Sequence, residues 1–286
     1  MPTTPQPSVA AIVLAYHPDD DIVRNAQALR AQVARVYVVN NSPDPGSQSL
    51  LDRLAEDLGF TILDQEGNVG VAAGFNAGMR AALADGFDFV WIFDQDSTVT
   101  DGMLTAMLAA HAALGSAAGV IAPALRSHAT GRIYRRESGT GAVDLDVVIS
   151  SGSLFSRALL ERIGMHDEPL FIDYVDHDIC LRARRYGLRN QKVFDAILDH
   201  RFGDSMSTTL FGRRVYLSNY SPLRQYYMSR NRMIVIKRFG IGRWFWEDLA
   251  FTSKAWVKVL LRETDRLAKI AAFFRGWRDG LRYPTR

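Results

Sequence analysis

Two aspartates, Asp94 and Asp96, follow the apolar run at 89–93 and enclose Gln95. In an extended chain, residues two apart project to the same side, so both carboxylates would face one direction. Neighbouring carboxylates repel each other unless a cation lies between them, and Mg²⁺ typically takes one or two carboxylates together with substrate phosphates. The pattern therefore predicts a divalent-cation site at the end of a strand. An Asx turn at a strand end is the alternative that the pattern leaves open.

A second group of chemically useful residues lies upstream, where Asn68 is followed by glycines at Gly70, Gly74 and Gly78. We expect a helix to begin at residue 71, with Asn68 and Gly70 forming the turn into it. The N-terminus of such a helix attracts anions, including phosphate groups. Gly74 and Gly78 would share one helical face, where the lack of a side chain also allows close packing on a sheet.

The hydrophobic pattern predicts the elements that must position these residues. Apolar runs typical of strands alternate with amphipathic segments typical of helices, which predicts a parallel sheet with helices on both faces. Ligands of such sheets bind beyond the carboxyl ends of the strands, so we expect the chemistry just after residues 14, 40, 63 and 93. The predicted strands are 9–14, 35–40, 60–63 and 89–93, and the predicted helices are 19–32, 48–58, 71–84 and 103–114.

Several motifs of other enzyme classes are absent from the sequence. No Gly-x-Gly-x-x-Gly follows the first predicted strand and no P-loop motif occurs, which argues against a dinucleotide dehydrogenase and a P-loop enzyme. Neither His-Glu-x-x-His nor Gly-x-Ser-x-Gly is present. The single cysteine, Cys180, excludes a disulfide framework and a site with several thiolate ligands.

Length and charge indicate a large α/β domain with an appendage. The chain has 286 residues, of which 48% are hydrophobic and 23% charged, a composition that excludes disorder. Residues 222–286 carry 15 Lys or Arg against five Asp or Glu, whereas the rest of the chain is net acidic. We therefore divide the chain into a domain at 1–221 and a basic, aromatic-rich helical extension at 222–286.

The basic extension predicts a polyanionic partner, either a lipid surface or a nucleic acid. No nucleic-acid-binding motif accompanies it, so we expect no nucleic-acid partner. A dimer interface or a helical cap on the core is the other alternative. Neither a secretory signal nor a run long enough to span a bilayer is visible, so we expect a soluble or peripheral protein.

Taken together, the motifs resemble those of the inverting, nucleotide-sugar-dependent glycosyltransferases of family 2. Within that family the resemblance is strongest to bacterial rhamnosyltransferases that use dTDP-L-rhamnose, and it covers roughly residues 9–240. It implies an α/β, GT-A type fold, with a Rossmann-like, mostly parallel sheet flanked by helices and a helical C-terminal extension. The matching residues are Leu14-Ala15-Tyr16, Asn40-Asn41-Ser42, Asn68 to Gly78, and Asp94 with Asp96.

The resemblance also implies roles for individual residues. A divalent cation, Mg²⁺ or Mn²⁺, would be held by Asp94, Asp96 and His200. The catalytic base corresponds to Asp176, and Asp173 stays open as an alternative because Val175 stands where relatives often carry an acidic residue. Asn40 departs from the Asp that many relatives use to contact the base or ribose. The implied donor-binding residues are Ala15, Tyr16, Asn40, Asn41, Asn68, Gly70, Asn76, Asp94 and Gln95.

The implied reaction is transfer of L-rhamnose from dTDP-L-rhamnose to a glycan or lipid-linked glycan acceptor. Such a reaction serves the synthesis of cell-surface polysaccharide, such as the O-antigen of lipopolysaccharide. It implies a cytoplasmic protein at the inner face of the membrane, with anionic lipid as a partner and an oligomer as an open alternative. Transfer of galactofuranose or glucose on the same fold is the nearest alternative function, and nucleic-acid binding through the basic extension is a more distant one.

Overall fold

The computed structural model describes residues 7–42, 44–127, 133, 138–200, 206–210 and 213–284. The chain forms two compact units. The first comprises Met1–Phe171 and Val175–Arg201, and the second comprises Ile172–Tyr174 and Phe202–Arg286. The predicted boundary between residues 221 and 222 lies further along the chain than this division, and the assignment of 1–221 and 222–286 as domains stays a prediction.

Strands and helices alternate through the first unit, as the hydrophobic pattern predicts. Its strands are β1 (Val9–Ala15), β2 (Arg35–Asn40), β3 (Thr61–Asp64), β4 (Phe89–Asp94), β5 (Ser97–Val99), β6 (Ala118–Ser127), β7 (Ala142–Leu145), β8 (Leu154–Ser156) and β9 (Arg189–His200). Its helices are α1 (Asp21–Arg30), α2 (Pro45–Leu58), α3 (Gly70–Ala84), α4 (Met103–Leu114), α5 (Arg157–Ile163) and α6 (Val175–Arg185), with short 3₁₀ helices at Gly115–Ala117 and Glu168–Leu170.

The strands of the first unit form one sheet in the order β3-β2-β1-β4-β8-β6-β9-β5, with β7 paired to β9. Strands β3, β2, β1 and β4 are parallel to one another, and β6 is parallel to β9. Strand β8 runs antiparallel to β4 and β6, and β5 and β7 run antiparallel to β9. The predicted mostly parallel sheet flanked by helices is confirmed, with antiparallel strands added beyond β4.

The central strand β1 is buried along its whole length, because helices cover both faces of the sheet. Ala11 and Val13 belong to one apolar cluster, which also contains residues of α1, α2 and α4. Ile12 and Leu14 belong to a second cluster with residues of α3 and α6. A strand covered on both faces needs an unbroken apolar run, which explains why this segment lacks the alternation of a half-exposed strand.

Helix α3 lies very close to β1 because it presents glycines to the strand. A Cβ atom at Gly74 would lie 2.4 Å from Leu14 Cδ1, and one at Gly78 would lie 2.4 Å from Ile12 Cγ2. A side chain in either position would force its neighbour on β1 to shift, so the close helix–sheet packing expected of this glycine spacing is present. The packing carries the N-terminus of α3 to the carboxyl edge of the parallel strands.

The second unit is mainly helical. It contains the hairpin of β10 (Met206–Leu210) and β11 (Arg213–Leu217) and the helices α7 (Pro222–Phe239), α8 (Arg243–Arg262) and α9 (Arg266–Arg282). Glycines again allow close packing, since a Cβ at Gly276 would lie 2.3 Å from the Tyr226 carbonyl oxygen on α7. A buried ion pair joins Lys269 Nζ to Glu263 Oε2 at 2.9 Å. Among the described residues, no helix is both long and apolar enough to cross a membrane.

Candidate active site

The three predicted cation ligands, Asp94, Asp96 and His200, lie together at the carboxyl edge of the sheet. One oxygen of each carboxylate and one ring nitrogen of His200 all lie within 4.8 Å of one another. Register explains the meeting, since β5 pairs with β9 so that Ser97 lies opposite His200. The side chain of His200 is 12% exposed and that of Asp96 is 36% exposed, so the cluster is sheltered yet reachable.

Two serines fix the geometry of this cluster. Ser97 Oγ lies 2.9 Å from His200 Nδ1 and 3.0 Å from Ser151 Oγ. Ser151 Oγ also accepts a hydrogen bond of 3.1 Å from the backbone N–H of Asp94. Such outer partners orient the ring and the strand end that carry the ligands, as they do around metal sites in general.

The chemistry of the donor set fits a divalent cation. Two carboxylate oxygens are the ligands that Mg²⁺ and Mn²⁺ prefer, and an imidazole nitrogen is compatible with the softer of these two ions. Three protein ligands leave coordination positions for phosphate oxygens. Asp94, Asp96 and His200 would therefore hold a cation on which a diphosphate could also bind.

The end of β1 meets Gln95 directly. The Gln95 side-chain amide donates to the Tyr16 carbonyl oxygen at 3.1 Å and accepts from the Tyr16 N–H at 2.7 Å. Asn25 Nδ2 in turn donates to the Gln95 carbonyl oxygen at 2.8 Å. Ala15 is fully buried, whereas Tyr16 is 48% exposed and offers its ring to the solvent side of this edge. Gln95 thus holds the β1 end against the cation-binding segment.

Asn40 and Asn41 are buried, and their side chains bond within the protein. Asn40 Nδ2 donates to Asp64 Oδ1 at 2.9 Å and to Gln48 Oε1 at 3.0 Å. Asn41 Oδ1 accepts from the Val69 N–H at 2.9 Å. Both asparagines therefore stabilise the loops at the ends of β2 and β3 through hydrogen bonds. Their contact with a nucleotide-sugar donor stays a prediction.

The turn into α3 has the predicted form, but a backbone carbonyl from elsewhere in the chain caps the N-terminus of the helix. Asn68 Oδ1 accepts from the Gly70 N–H at 3.0 Å, and Gly70 has a φ of +86°. The Phe171 carbonyl oxygen accepts from the N–H groups of Val71 at 2.6 Å and of Ala72 at 3.3 Å. This carbonyl occupies donors that a helix N-terminus would offer to an anion, so the expected attraction of phosphate to this end is reduced.

Asn76 bonds to the segment between α5 and α6. Its Nδ2 donates to the His166 carbonyl oxygen at 2.9 Å and to Glu168 Oε1 at 3.0 Å, and its Oδ1 accepts from the His166 N–H at 3.0 Å. The Asn76 side chain is therefore occupied by a segment 90 residues away in sequence. Its predicted role in donor binding stays a prediction.

Asp176 lies in the first turn of α6, next to His177. Asp176 Oδ1 lies 3.0 Å from His177 Nδ1 and accepts from the His177 N–H at 2.8 Å. Burial acts to raise the pKa of the Asp176 carboxyl, but the charge and hydrogen bonds of His177 outweigh it and leave this pKa below the ordinary value. The Asp176 carboxylate is 27% exposed and ionised at neutral pH, as a general base must be.

Asp176 follows the residue that caps α3 by five positions. That residue is Phe171, and the end of α3 that it caps lies at the carboxyl edge of the parallel strands. The other acidic residues of this segment have ion-pair partners. Asp178 pairs with Arg182 at 2.7 Å, and Asp173 pairs with Arg224 at 3.0 Å.

Sequence reasoning missed the residues that support the site. Ser97 ends the segment that begins at Asp94, and Ser151 begins a small-residue strand end that resembles the acceptor-side segment of the family, but neither pattern predicts contact with the cation ligands. Neither His166 nor His128 lies in a motif, which predicts surface or packing residues. His166 is 4% exposed, between the rings of Phe75 and Phe155, and His128 lies outside the described residues.

Comparisons with known proteins agree with this geometry. The family model described as Glycosyl transferase family 2 matches residues 10–175, more than half of the chain. That range includes β1 from its second residue, all of β2 to β4, the α3 turn and both aspartates of the cation cluster.

Two curated relatives are each 29% identical to this chain over the aligned residues. The dTDP-rhamnosyl transferase RfbF of Shigella flexneri matches over 248 residues, which cover 81% of this chain and 80% of the relative. The galactofuranosyltransferase GlfT1 of Mycobacterium tuberculosis matches over 260 residues, which cover 82% of this chain and 84% of the relative.

A solved structure shares the fold. The mannosyltransferase PcManGT from Pyrobaculum calidifontis, in complex with GDP-Man and Mn²⁺, aligns with a TM-score of 0.60 at 18% identity. The alignment covers 94% of this chain and 74% of that one. The GT-A fold that the sequence motifs predict is thereby confirmed.

Proposed function

This chain belongs to glycosyltransferase family 2, and we propose that it transfers L-rhamnose from dTDP-L-rhamnose to a hydroxyl group of a glycan acceptor, with inversion at the anomeric carbon. The observation that carries the proposal is the cluster of Asp94, Asp96 and His200 at the carboxyl edge of the sheet. Asp176, in the first turn of α6, is the proposed base. One group of residues can bind a diphosphate through a cation, and the other can remove a proton.

Asp176 acts as the base in the proposed reaction. Its carboxylate accepts the proton of the acceptor hydroxyl while that oxygen forms a bond to the anomeric carbon. The bond from the anomeric carbon to the diphosphate oxygen breaks, and the nucleoside diphosphate leaves with the electron pair. A single displacement without an enzyme nucleophile inverts the anomeric configuration. His177, bonded to Asp176 Oδ1, fixes the orientation of the carboxylate and favours its ionised form.

Asp94, Asp96 and His200 bind the leaving group in this proposal. A divalent cation held by them would neutralise the negative charge that builds up on the departing diphosphate. Ser97 and Ser151 keep these ligands in place, and Gln95 holds the Tyr16 backbone beside them. The exposed Tyr16 ring offers a face on which a nucleobase could stack.

The identity of the donor sugar needs a direct test, because RfbF and GlfT1 have the same percentage identity to this chain. A thermal-shift comparison of dTDP-L-rhamnose with UDP-galactofuranose, each with Mn²⁺, decides between them. At equal ligand concentration, the ligand that binds the native state more tightly raises the melting temperature more, and the rise grows with the logarithm of its affinity. We expect the larger rise with dTDP-L-rhamnose, and a larger rise with UDP-galactofuranose would contradict the rhamnosyl assignment.

A matched pair of variants tests whether the donor binds through the cation site. Asp96→Asn should remove the Mn²⁺-dependent part of the donor shift, because a neutral amide is a poorer ligand for a divalent cation than a carboxylate. Asp101→Asn removes an exposed carboxylate from the following turn and should leave the shift unchanged. An unchanged shift in Asp96→Asn would remove the cation site from the account.

The outer faces of two helices in the second unit support a lipid-surface partner. On α8, Trp246, Leu249, Val257, Leu260 and Leu261 recur on one helical face and are 39–62% exposed. The opposite face of α8 carries the buried residues Trp244, Thr252 and Val259. The solvent side of this helix is therefore apolar, which is unusual for a surface helix of a globular protein.

Helix α9 carries a similar outer stripe, formed by Leu267, Phe274, Trp277 and Leu281. The rings of Trp256 on α8 and Phe273 on α9 contact each other, with centroids 5.0 Å apart. Each ring lies at the edge of the apolar stripe on its own helix. The two stripes therefore lie on either side of this ring contact.

Basic residues flank both stripes. Lys254, Lys258 and Arg262 follow one another along α8 beside its stripe, and Arg275, Arg278 and Arg282 do so on α9. Charge complementarity therefore favours an anionic bilayer, whose headgroups pair with the basic flanks while the stripes enter the interface. A second copy of this chain, docked through the same face, would bring like charges together. We therefore assign this face to anionic lipid, where a lipid-linked glycan acceptor would also lie.

A further inference from the structure

The segment that leads into Asp176 has an unfavourable backbone conformation. Phe171, Asp173 and Tyr174 have φ values of +65°, +61° and +62°, in the left-handed region that side-chain-bearing residues rarely adopt. Such conformations persist only where the surroundings determine them, and they cluster at functional sites. Specific contacts must therefore hold this segment in place.

Asn231 on α7 makes the central contact with this segment. Its Nδ2 donates to the Ile172 carbonyl oxygen at 2.8 Å and to the Asp173 carbonyl oxygen at 2.9 Å. Asn231 itself is fully buried. The Asn231 amide thus binds the carbonyl groups on both sides of Asp173, the first of the two adjacent residues with left-handed torsions.

Charged groups hold the side chains of the same two residues. The Arg224 guanidinium binds the Asp173 carboxylate, with Nη2 at 3.0 Å from Oδ1 and Nε at 3.1 Å from Oδ2. The Tyr174 hydroxyl donates to Asp248 Oδ1 at 2.7 Å, and Asp248 is in turn paired with Arg232 at 2.7 Å. Backbone and side chains of 172–174 are therefore both anchored within the second unit.

The geometry points to Asn231 as a positioning residue for the proposed base. Only Val175 separates the anchored segment from Asp176, so the two left-handed residues determine where the first turn of α6 starts. Without Asn231, Asp173 and Tyr174 would relax toward ordinary torsions, and the Asp176 carboxylate would move with them. The inference rests on the proposed role of Asp176 and adds a residue that never touches substrate.

The same contacts assign Asp173 a role other than that of a base. Its carboxylate is engaged by both edges of the Arg224 fork, and its side chain is 16% exposed. The two parallel hydrogen bonds from one guanidinium fix this carboxylate within the second unit. Asp173 belongs to the anchor, and Asp176 is the proton acceptor.

The test compares Asn231→Asp with Ser229→Ala. Asn231→Asp keeps the shape of the side chain but removes both donated hydrogen bonds. Ser229 lies on the same helix, is equally buried, and donates instead to the Phe273 carbonyl oxygen at 2.7 Å. Both variants lose buried hydrogen bonds of α7, but only Asn231→Asp loses contact with the strained segment.

Hydrogen–deuterium exchange of the peptide spanning residues 171–178 gives a readout that does not depend on activity. We expect faster exchange there in Asn231→Asp and wild-type exchange in Ser229→Ala. The rate of dTDP release from dTDP-L-rhamnose should fall by up to roughly a hundredfold in Asn231→Asp, as displaced catalytic groups cause. The affinity for dTDP with Mn²⁺ should not change. Unchanged exchange in Asn231→Asp, or equal changes in both variants, would overturn the inference.

A double variant separates this inference from the proposed function. If Asn231 acts through Asp176, the double variant Asn231→Asp with Asp176→Asn should release dTDP no more slowly than Asp176→Asn alone. A further loss in the double variant would show that Asn231 acts otherwise. Full activity of Asp176→Asn would instead refute the assignment of the base, whatever Asn231 does.

Discussion

His166 is a buried imidazole close to the proposed base. Neither of its ring nitrogens has a hydrogen-bond partner among the described residues, and the ring is 4% exposed. Burial, assisted by the nearby Arg182 cation and opposed by Asp176, lowers the pKa of His166 to about 4. The ring is therefore neutral at physiological pH and acts as an apolar filler beneath α6.

This depressed pKa predicts an acid-sensitive fold. The unfolded chain protonates His166 near pH 6.5, whereas the folded chain does so only near 4, so folding stability is full above 6.5 and is lost as pH falls toward 4. The difference corresponds to about 3 kcal/mol. Denaturant unfolding of the wild type and of His166→Leu, at pH 7 and at low pH, measures how much unfolding free energy each protein loses on acidification. The variant should lose less stability than the wild type, and equal losses would contradict the assignment.

At the residue scale, spacing predicted Asp94 and Asp96 as cation ligands and the family resemblance added His200, but neither revealed which protein groups the polar side chains of the edge would contact. Asp94 and Asp96 follow a strand, and a strand end fixes where they point. Asn76 lies inside a helix, and its bonds go to His166 and Glu168, far away in sequence. A motif identifies such a residue without revealing which neighbour occupies its side chain.

At the element scale, the first four strands and their helices follow from hydrophobic periodicity. Strand β2 and helix α4 have the predicted bounds, and α3 begins one residue earlier than predicted. The antiparallel pairings of β5, β7 and β8 were not predicted, because strands of three or four residues are too short to show a clear hydrophobic period. The cap of α3 by Phe171 was equally inaccessible, since it comes from a backbone carbonyl a hundred positions away.

The seating of α3 on β1 gives a prediction for Gly78. Gly78→Ala should lower the free energy of unfolding by about 1–3 kcal/mol, because its Cβ would clash with Ile12 Cγ2. Ile12→Ala removes that methyl group, so the double variant should lose less stability than the sum of the single losses. Gly67→Ala, with open space around its Cβ, is the control and should stay within about 0.5 kcal/mol of the wild type. Additive losses would contradict the packing account.

At the scale of the whole molecule, charge and apolar surface are divided unevenly. The acidic part of the chain contains the candidate active site, and the basic part contains α8 and α9 with their exposed stripes. The sequence revealed the excess of basic and aromatic residues. Which of them face solvent depends on how the helices pack, and only the structure separates the buried Trp244 from the exposed Trp246.

This division predicts salt-sensitive binding to anionic vesicles. The wild type should sediment with vesicles of phosphatidylglycerol and phosphatidylcholine at low ionic strength, and less at high ionic strength. Vesicles of phosphatidylcholine alone should bind it weakly. The double variant Trp246→Ser with Leu260→Ser should lose binding, because these residues form the apolar part of the contact.

Tyr186→Ser is the matched control, since it removes an exposed aromatic ring from the first unit. It should bind vesicles as the wild type does. Absence of wild-type binding would refute the assignment. A dimer in sedimentation velocity that dissociates in the double variant would instead assign the stripes to a second copy of the chain.

The most direct test of the whole account measures sugar transfer and nucleotide binding by Asp176→Asn. The donor is whichever of dTDP-L-rhamnose and UDP-galactofuranose gives the larger rise in melting temperature. We predict that sugar transfer to an octyl glycoside falls by about 10²- to 10⁴-fold, the usual contribution of a general base. Calorimetry should give the wild-type affinity for the nucleoside diphosphate with Mn²⁺. Wild-type transfer by this variant, or loss of nucleotide binding together with transfer, would contradict the claim that Asp176 deprotonates the acceptor beside a separately held diphosphate.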